Sequence, residues 1–229
     1  REEVLNCARE AREFGYGTVV LQSGEDYGIT RDWVTGLIQA IKAETGLAVT
    51  LSLGERPDED LVAWREAGAN RYLLRFETSD PRLYAMIHPP GPGRTLSDRI
   101  AMLRRLRELG YEAGSGVMVG IPGQTYAMLA KDIATFGELD LDMIGVGPYI
   151  PHPATPLSEN RPVDGADRLV PMPAPDGEQV PNTEAMTYKV VALTRLACPE
   201  GNIPSTTALA TLNLARGREL GLQRGANIV

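Results

Sequence analysis

The chain has 229 residues, 43% of them hydrophobic and 23% charged, with a formal net charge of −7. That balance fits a soluble globular fold with one large core or two small ones, and the negative charge argues against nucleic acid or an anionic membrane surface as partner. No apolar run approaches the roughly 20 residues that span a bilayer, and no secretory leader is visible at Arg1, so the expected location is cytoplasmic.

Residues 2–14 read as a helix carrying Cys7. The β-branched run Thr18-Val19-Val20-Leu21-Gln22 reads as a strand, followed by Ser23-Gly24-Glu25-Asp26. A helix over 30–45 puts Val34, Leu37, Ile38 and Ile41 on one face, and Gly46 closes it. A strand over 48–52 ends at Gly54-Glu55, and Pro57 opens a helix with Leu61, Trp64 and Ala67 inward. Residues 71–76 form the third strand, and residues 97–109 the next helix, with Ile100, Leu103, Leu106 and Leu109 inward. Thr95 and Asp98 read as a capping pair, which places Arg99 in the first helical turn, where the helix dipole disfavours a cation. The fourth strand carries Val117-Met118-Val119 into the bend Gly120-Ile121-Pro122-Gly123-Gln124, and its helix carries Leu129, Ile133 and Phe136. Residues 142–147 form the fifth strand. Residues 158–182 hold five prolines with little apolar periodicity and read as an excursion without catalytic residues. A helix over 184–197 puts Met186, Val190, Leu193 and Leu196 inward, and short strands follow near 203–207 and 226–229. Cys7 and Cys198 have no metal-ligand spacing and read as buried free thiols.

Near-continuous apolar strands between amphipathic helices indicate an α/β protein with a parallel sheet. The repeat of roughly 25–30 residues fits a (β/α)8 TIM-type barrel lacking one unit, over residues 1–229 as a single domain. A doubly wound open sheet is the alternative. Polar or glycine-rich residues follow almost every strand, which favours the barrel, because its active face is assembled from all the strand ends.

The strand-end tracts run in the order Leu21-Gln22-Ser23-Gly24-Glu25-Asp26, Thr50-Leu51-Ser52-Leu53-Gly54-Glu55, Arg71-Tyr72-Leu73-Leu74-Arg75-Phe76-Glu77-Thr78, Met118 to Thr125, Gly147-Pro148-Tyr149-Ile150-Pro151-His152-Pro153, Ile203-Pro204-Ser205-Thr206-Thr207-Ala208 and Gly225-Ala226-Asn227. In this order they resemble the radical S-adenosylmethionine (radical-SAM) enzymes, specifically the E-type maturases of [FeFe]-hydrogenase. That branch belongs to the biotin synthase and methylornithine synthase group. The resemblance implies a full barrel, S-adenosylmethionine as cofactor and a [4Fe–4S] cluster held by a Cys-x3-Cys-x2-Cys loop after a first strand. This sequence holds neither that strand nor that loop. The cluster ligands are therefore expected upstream of Arg1, with no metal ligand in this chain and no activity from it alone.

The same resemblance implies that Ser23, Gly24 and Glu25 serve the cofactor's amino group, that Glu77 and Arg99 contact the cofactor, and that Gly120, Ile121 and Ile150 flank its adenine. It implies that Thr50, Arg75, Thr206 and Thr207 face the substrate inside the barrel. Plainer readings stand beside these. Ser23-Gly24-Glu25 also reads as an ordinary βα turn, Arg99 as a surface arginine paired with Asp98 or Glu55, and Arg75 as an internal partner of Glu77. The implied activity is generation of a 5′-deoxyadenosyl radical that acts on a small amino-acid-like or cysteine-bound iron substrate, with an electron donor and other hydrogenase maturases as partners. A methylornithine synthase-like or biotin synthase-like enzyme is the alternative, and so is a cluster-less module that binds S-adenosylmethionine or a carboxylate.

Overall fold

The computed structural model describes residues 1–90, 95–155, 157 and 177–229. In chain order the elements begin with α1 (Glu2–Glu13), β1 (Thr18–Gln22), α2 (Arg31–Thr45), β2 (Ala48–Ser52), α3 (Asp58–Glu66), β3 (Arg71–Leu73), α4 (Pro81–Ile87) and α5 (Arg99–Glu108). They continue with β4 (Glu112–Val119), α6 (Tyr126–Glu138), β5 (Met143–Pro148), α7 (Glu184–Ala197), α8 (Thr207–Leu212) and α9 (Gly217–Leu222). The strands are neighbours in the order β1-β2-β3-β4-β5. A doubly wound sheet reverses strand order at a switch point; these strands never reverse, which is the progression of a β/α barrel.

The chain divides into two compact units. The first comprises residues 1–74 and 99–114. Here β1 runs parallel to β2 in the register Thr18↔Ala48 to Gln22↔Ser52, β2 pairs β3 through Thr50↔Arg71, and β3 pairs β4 from Arg71↔Glu112 to Leu73↔Gly114. Val34, Leu37, Ile38 and Ile41 of α2 are buried as their spacing requires, with Leu61 and Trp64 of α3 and Leu103 and Leu106 of α5. Thr30 caps α2 by accepting from the Trp33 amide, and Gly46 ends the helix in the left-handed conformation.

The second unit comprises residues 75–98 and 115–229. Its core joins Val117 and Val119 of β4, Leu129 and Phe136 of α6, Ile144 and Val146 of β5, and Val190 and Val191 of α7. Of the expected inward face of α7, Val190 is buried and Met186 half-buried, but its two leucines are not. Leu193 and Leu196 are 50% and 79% exposed, while Thr187, Tyr188, Val190, Val191 and Thr194 are buried. A threonine is hidden cheaply in a helix when its hydroxyl bonds a preceding carbonyl, as Thr187 does to Thr183 at 3.0 Å. Hydrophobicity alone therefore selects the wrong stripe.

The third strand runs Arg71–Leu73 rather than to Phe76, and parallel pairing resumes at the isolated bridge Glu77↔Val117. The segments near 203–207 and 226–229 meet through the isolated bridge Pro204↔Ile228 and through the bonds from the Ser205 amide to the Ile228 carbonyl and from the Asn227 amide to the Ile203 carbonyl; Pro204 has no amide hydrogen with which to extend a ladder. The short helix α4, unforeseen in the sequence, begins at Asp80-Pro81, where the Asp80 carboxylate accepts from the amides of Arg82 and Leu83. Of the expected proline-rich excursion, residues 158–176 lie outside the described residues. Residues 177–182 are bonded to the Gly120 turn.

Candidate functional site

In the first unit, three charged side chains meet beyond the ends of β1 and β2. Arg99, the first residue of α5, places Nε 2.7 Å from Glu55 Oε1 and Nη2 3.0 Å from Glu25 Oε1. Its side chain is only 11% exposed, against 40% for Glu25 and 21% for Glu55. Arg99 is thus no simple surface arginine, although the expected pairing with Glu55 is present. Glu25 Oε2 accepts from the Glu55 amide at 3.0 Å and from the Tyr27 hydroxyl at 3.2 Å. Gly54 makes this approach possible. It takes φ +74, and a Cβ there would stand 2.5 Å from the Glu25 carboxylate.

Two carboxylates against one guanidinium carry a net negative charge, part-buried and already oriented. Such a set suits a ligand bearing both an ammonium and a carboxylate. Ser23, half-buried, donates its hydroxyl to the Gly24 carbonyl at 3.2 Å. Thr50 is buried in the middle of β2, on the face opposite Val49 and Leu51.

The loop behind Glu25 is anchored by Arg56, which is almost fully buried. Arg56 reaches Asp60 Oδ2 through Nε at 3.1 Å and Nη2 at 2.9 Å, and also donates to the carbonyls of Asp26 and Ile29. It also lies over the Trp64 ring.

In the second unit, Arg75 donates through Nη2 to the Val117 carbonyl at 2.7 Å and pairs through Nε with Glu77 Oε1 at 3.2 Å. The internal pairing read as an alternative is therefore present. Glu77 has φ 63, and the Thr78 amide donates to the Phe76 carbonyl at 2.8 Å. This is a γ-turn of the strained hand, built on a residue with a long side chain. A strained turn at an acidic residue paired with a half-buried arginine makes this a candidate functional position.

Gly120 takes φ +83. Its close approach is to the protein itself, since a Cβ would lie 2.4 Å from the Asn182 backbone. Its amide donates to Gln124 Oε1 at 2.7 Å. Residues 177–182 fasten this turn. Gln179 accepts from the Gly123 amide and donates to the Ile121 carbonyl, the Val180 amide donates to the Gln124 carbonyl, and Asn182 donates to the Tyr149 carbonyl.

Ile121 is fully buried beside Leu83 and Tyr149, with Met118 and Met128 against them. Ile150 is exposed. Thr206 donates to the Val146 carbonyl at 3.3 Å. Thr207 is exposed as the first residue of α8.

The buried carboxylate of Asp132 was missed. Burial raises its pKa to about 6 against the hydrogen bonds it receives. An aspartate beside an exposed lysine in a helical run gives no sign of burial; only its capture by Ser79 reveals it. Cys7 is exposed, contrary to expectation. Cys198 is half-buried, and burial pushes its thiol up. Among the described residues, no group of three His, Cys, Asp or Glu side chains is placed to hold a metal ion, and no helix is long and apolar enough to cross a membrane.

The sequence profile of the Radical SAM superfamily matches residues 1–136. The [FeFe] hydrogenase maturase subunit HydE of Thermotoga maritima is 44% identical over 228 residues, covering 100% of this chain and 59% of that protein. The 3-methylornithine synthase of Methanosarcina acetivorans is 28% identical over 231 residues, covering 100% of this chain and 59% of that protein. Among solved structures, methylornithine synthase (PylB) superposes with a TM-score of 0.76 at 26% identity, over 100% of this chain and 60% of its own. The maturase HydG shares the fold, with a TM-score of 0.71 at 19% identity over 98% of this chain and 48% of its own. The chain thus spans 59% of the length of these two curated relatives.

Proposed function

This chain belongs to the radical SAM superfamily, and from that premise we propose that it forms the greater part of a HydE-type enzyme. Such an enzyme uses S-adenosylmethionine for radical chemistry on a small amino-acid-like substrate. The observation that carries the reading is Arg99 held between Glu25 and Glu55 at the ends of β1 and β2. S-adenosylmethionine, when bound, would supply the 5′-deoxyadenosyl group for that chemistry. Glu25 with the Ser23-Gly24 turn takes the ammonium, and Arg99 takes the carboxylate, each by a charge-assisted hydrogen bond. Glu55 keeps the guanidinium aimed when no ligand is present.

On the second unit's own geometry, Glu77, Gly120, Ile121 and Ile150 are proposed for nucleoside contacts. The Gly120 amide is bonded to Gln124 and the Ile121 carbonyl to Gln179, so the turn is held in shape by the protein itself. Arg75 and Thr206 are proposed for a substrate carboxylate, with Thr207 and, separately, Thr50 as hydroxyl donors. The family also implies a [4Fe–4S] cluster, which the described residues do not fit: both cysteines stand without companions, and no three-ligand group exists among these residues. No step through a cluster is derived from this chain. An electron donor and other hydrogenase maturases are proposed as partners on the strength of the HydE relation.

Substrate binding separates from cofactor binding in one substitution. Arg75→Met should weaken binding of a small amino-acid carboxylate by about tenfold while S-adenosylmethionine affinity stays within twofold, both read by calorimetry. Equal loss of both would make Arg75 structural.

A methylornithine synthase-like activity is the second reading, favoured by the TM-score of 0.76 to that enzyme. The deciding experiment supplies the complete protein to a strain that lacks its E-type maturase. Restored hydrogenase activity supports the first reading. Cofactor turnover without restoration supports the second.

A further inference from the structure

We propose that Asp132 is a positioning residue for the cofactor, holding the Glu77 turn through Ser79 and Thr78 and the Gly120–Ile121 turn through Gln124. This rests on the reading that those two turns serve S-adenosylmethionine.

The geometry is that of one acceptor with two arms. Asp132, on α6, is fully buried. Its Oδ1 accepts from the Ser79 amide at 2.5 Å, the Ser79 hydroxyl at 2.7 Å and the Thr78 hydroxyl at 3.5 Å. Those residues directly follow the strained Glu77. Its Oδ2 accepts from Gln124 Nε2 at 3.4 Å. Gln124 Nε2 also donates to the Met118 carbonyl at 3.1 Å, and Gln124 Oε1 accepts from the Gly120 amide at 2.7 Å.

The Gly120 amide, an obligate donor, and the Met118 carbonyl, an obligate acceptor, set the Gln124 amide so that Nε2 also faces Asp132. A carboxylate can only accept, so it matches the end that Gln124 presents. One charge thereby links the two turns.

A neutral group at 132 breaks this link. The Ser79 amide is an obligate donor, so an asparagine there keeps its oxygen on Ser79 and presents its NH2 to Gln124. Gln124 is held in place by the Gly120 amide and the Met118 carbonyl, so two NH2 groups then face each other, donor to donor, and the arm to the Gly120 turn is lost. Protonation of Asp132 has the same consequence. Burial raises its pKa to about 6, so the change falls at mildly acidic pH. The partners of the carboxylate, Ser79, Thr78 and Gln124, do not ionise there. The charged groups near it in the chain are engaged elsewhere: Glu77 with Arg75, and Asp80 with the α4 amides. On the side of α7, which packs on α6, the buried residues are uncharged.

The test is S-adenosylmethionine affinity of the complete protein, by calorimetry between pH 5 and 8. Wild type should lose about tenfold as pH falls through the Asp132 transition. Asp132→Asn should show that lower affinity throughout, with a flat profile. A residue that served folding alone would lower affinity uniformly and leave the profile's shape intact, and that result overturns the proposal. A flat wild-type profile overturns it too, without recourse to any variant. Should Asp132→Asn not fold, Ser79→Ala tests the other arm, and affinity equal to wild type would sink it. Wild-type protein that binds no S-adenosylmethionine at any pH refutes instead the cofactor reading on which this rests.

Discussion

Replacing Arg99 with methionine should lower affinity for S-adenosylmethionine by roughly a hundredfold, since a charge-assisted hydrogen bond of about 1.5–3 kcal/mol is lost and each tenfold is about 1.4 kcal/mol. The side chain is nearly buried and spans Glu25 and Glu55. Without it the ligand's carboxylate has no counter-charge in the first unit's cluster, and two carboxylates remain to repel it. Arg99→Lys should recover only part of the loss, because an ammonium cannot reproduce the guanidinium fork that reaches both glutamates. Calorimetry at fixed ionic strength reads both variants. A loss within threefold for Arg99→Met would show that the guanidinium only restrains its two neighbours.

Arg56→Met should lower the unfolding free energy by about 3 kcal/mol, at the lower end for breaking a buried ion pair. Arg56 and Asp60 have side chains only 6% and 7% exposed, and the arginine also satisfies the Asp26 and Ile29 carbonyls. Its removal leaves Asp60 buried, and the remaining bond from Arg31, 2.8 Å away, keeps the cost from rising further. Urea unfolding gives the value directly; a change below about 1 kcal/mol would mean that water replaces the guanidinium without penalty. The two substitutions have separate consequences, one in ligand affinity and one in stability, although Glu25 and Asp26 are adjacent.

Local chemistry explains what could be read from the chain and what could not. Thr18–Gln22 and Ala48–Ser52 were legible to the residue because β-branched and apolar runs are bounded by polar and glycine-rich turns. The helix over 184–197 was legible in extent and illegible in orientation, because buried threonines look polar in a sequence. Glu77 takes a backbone conformation that no side-chain pattern announces. In the site, Glu25 and Arg99 are visible as charged residues at strand and helix ends, and the pairing of Arg99 with Glu55 stands among the plainer readings, whereas the approach of Glu25 to both is not legible. Asp132 and Asn182 were not visible. One sits in a helix where a carboxylate is ordinarily solvated, and the other in a proline-rich stretch whose return to the Gly120 turn depends on tertiary hydrogen bonds.

Gly54 bears on how natural variation in this chain should be interpreted. The residue has no side chain to touch a ligand, yet any Cβ at that point would displace the Glu25 carboxylate. A variant there would leave every acidic and basic residue of the cluster in place while removing their alignment. Inspection of the charged positions alone would pass such a variant as intact, so an inventory of functional alleles must treat this glycine as strictly as Arg99.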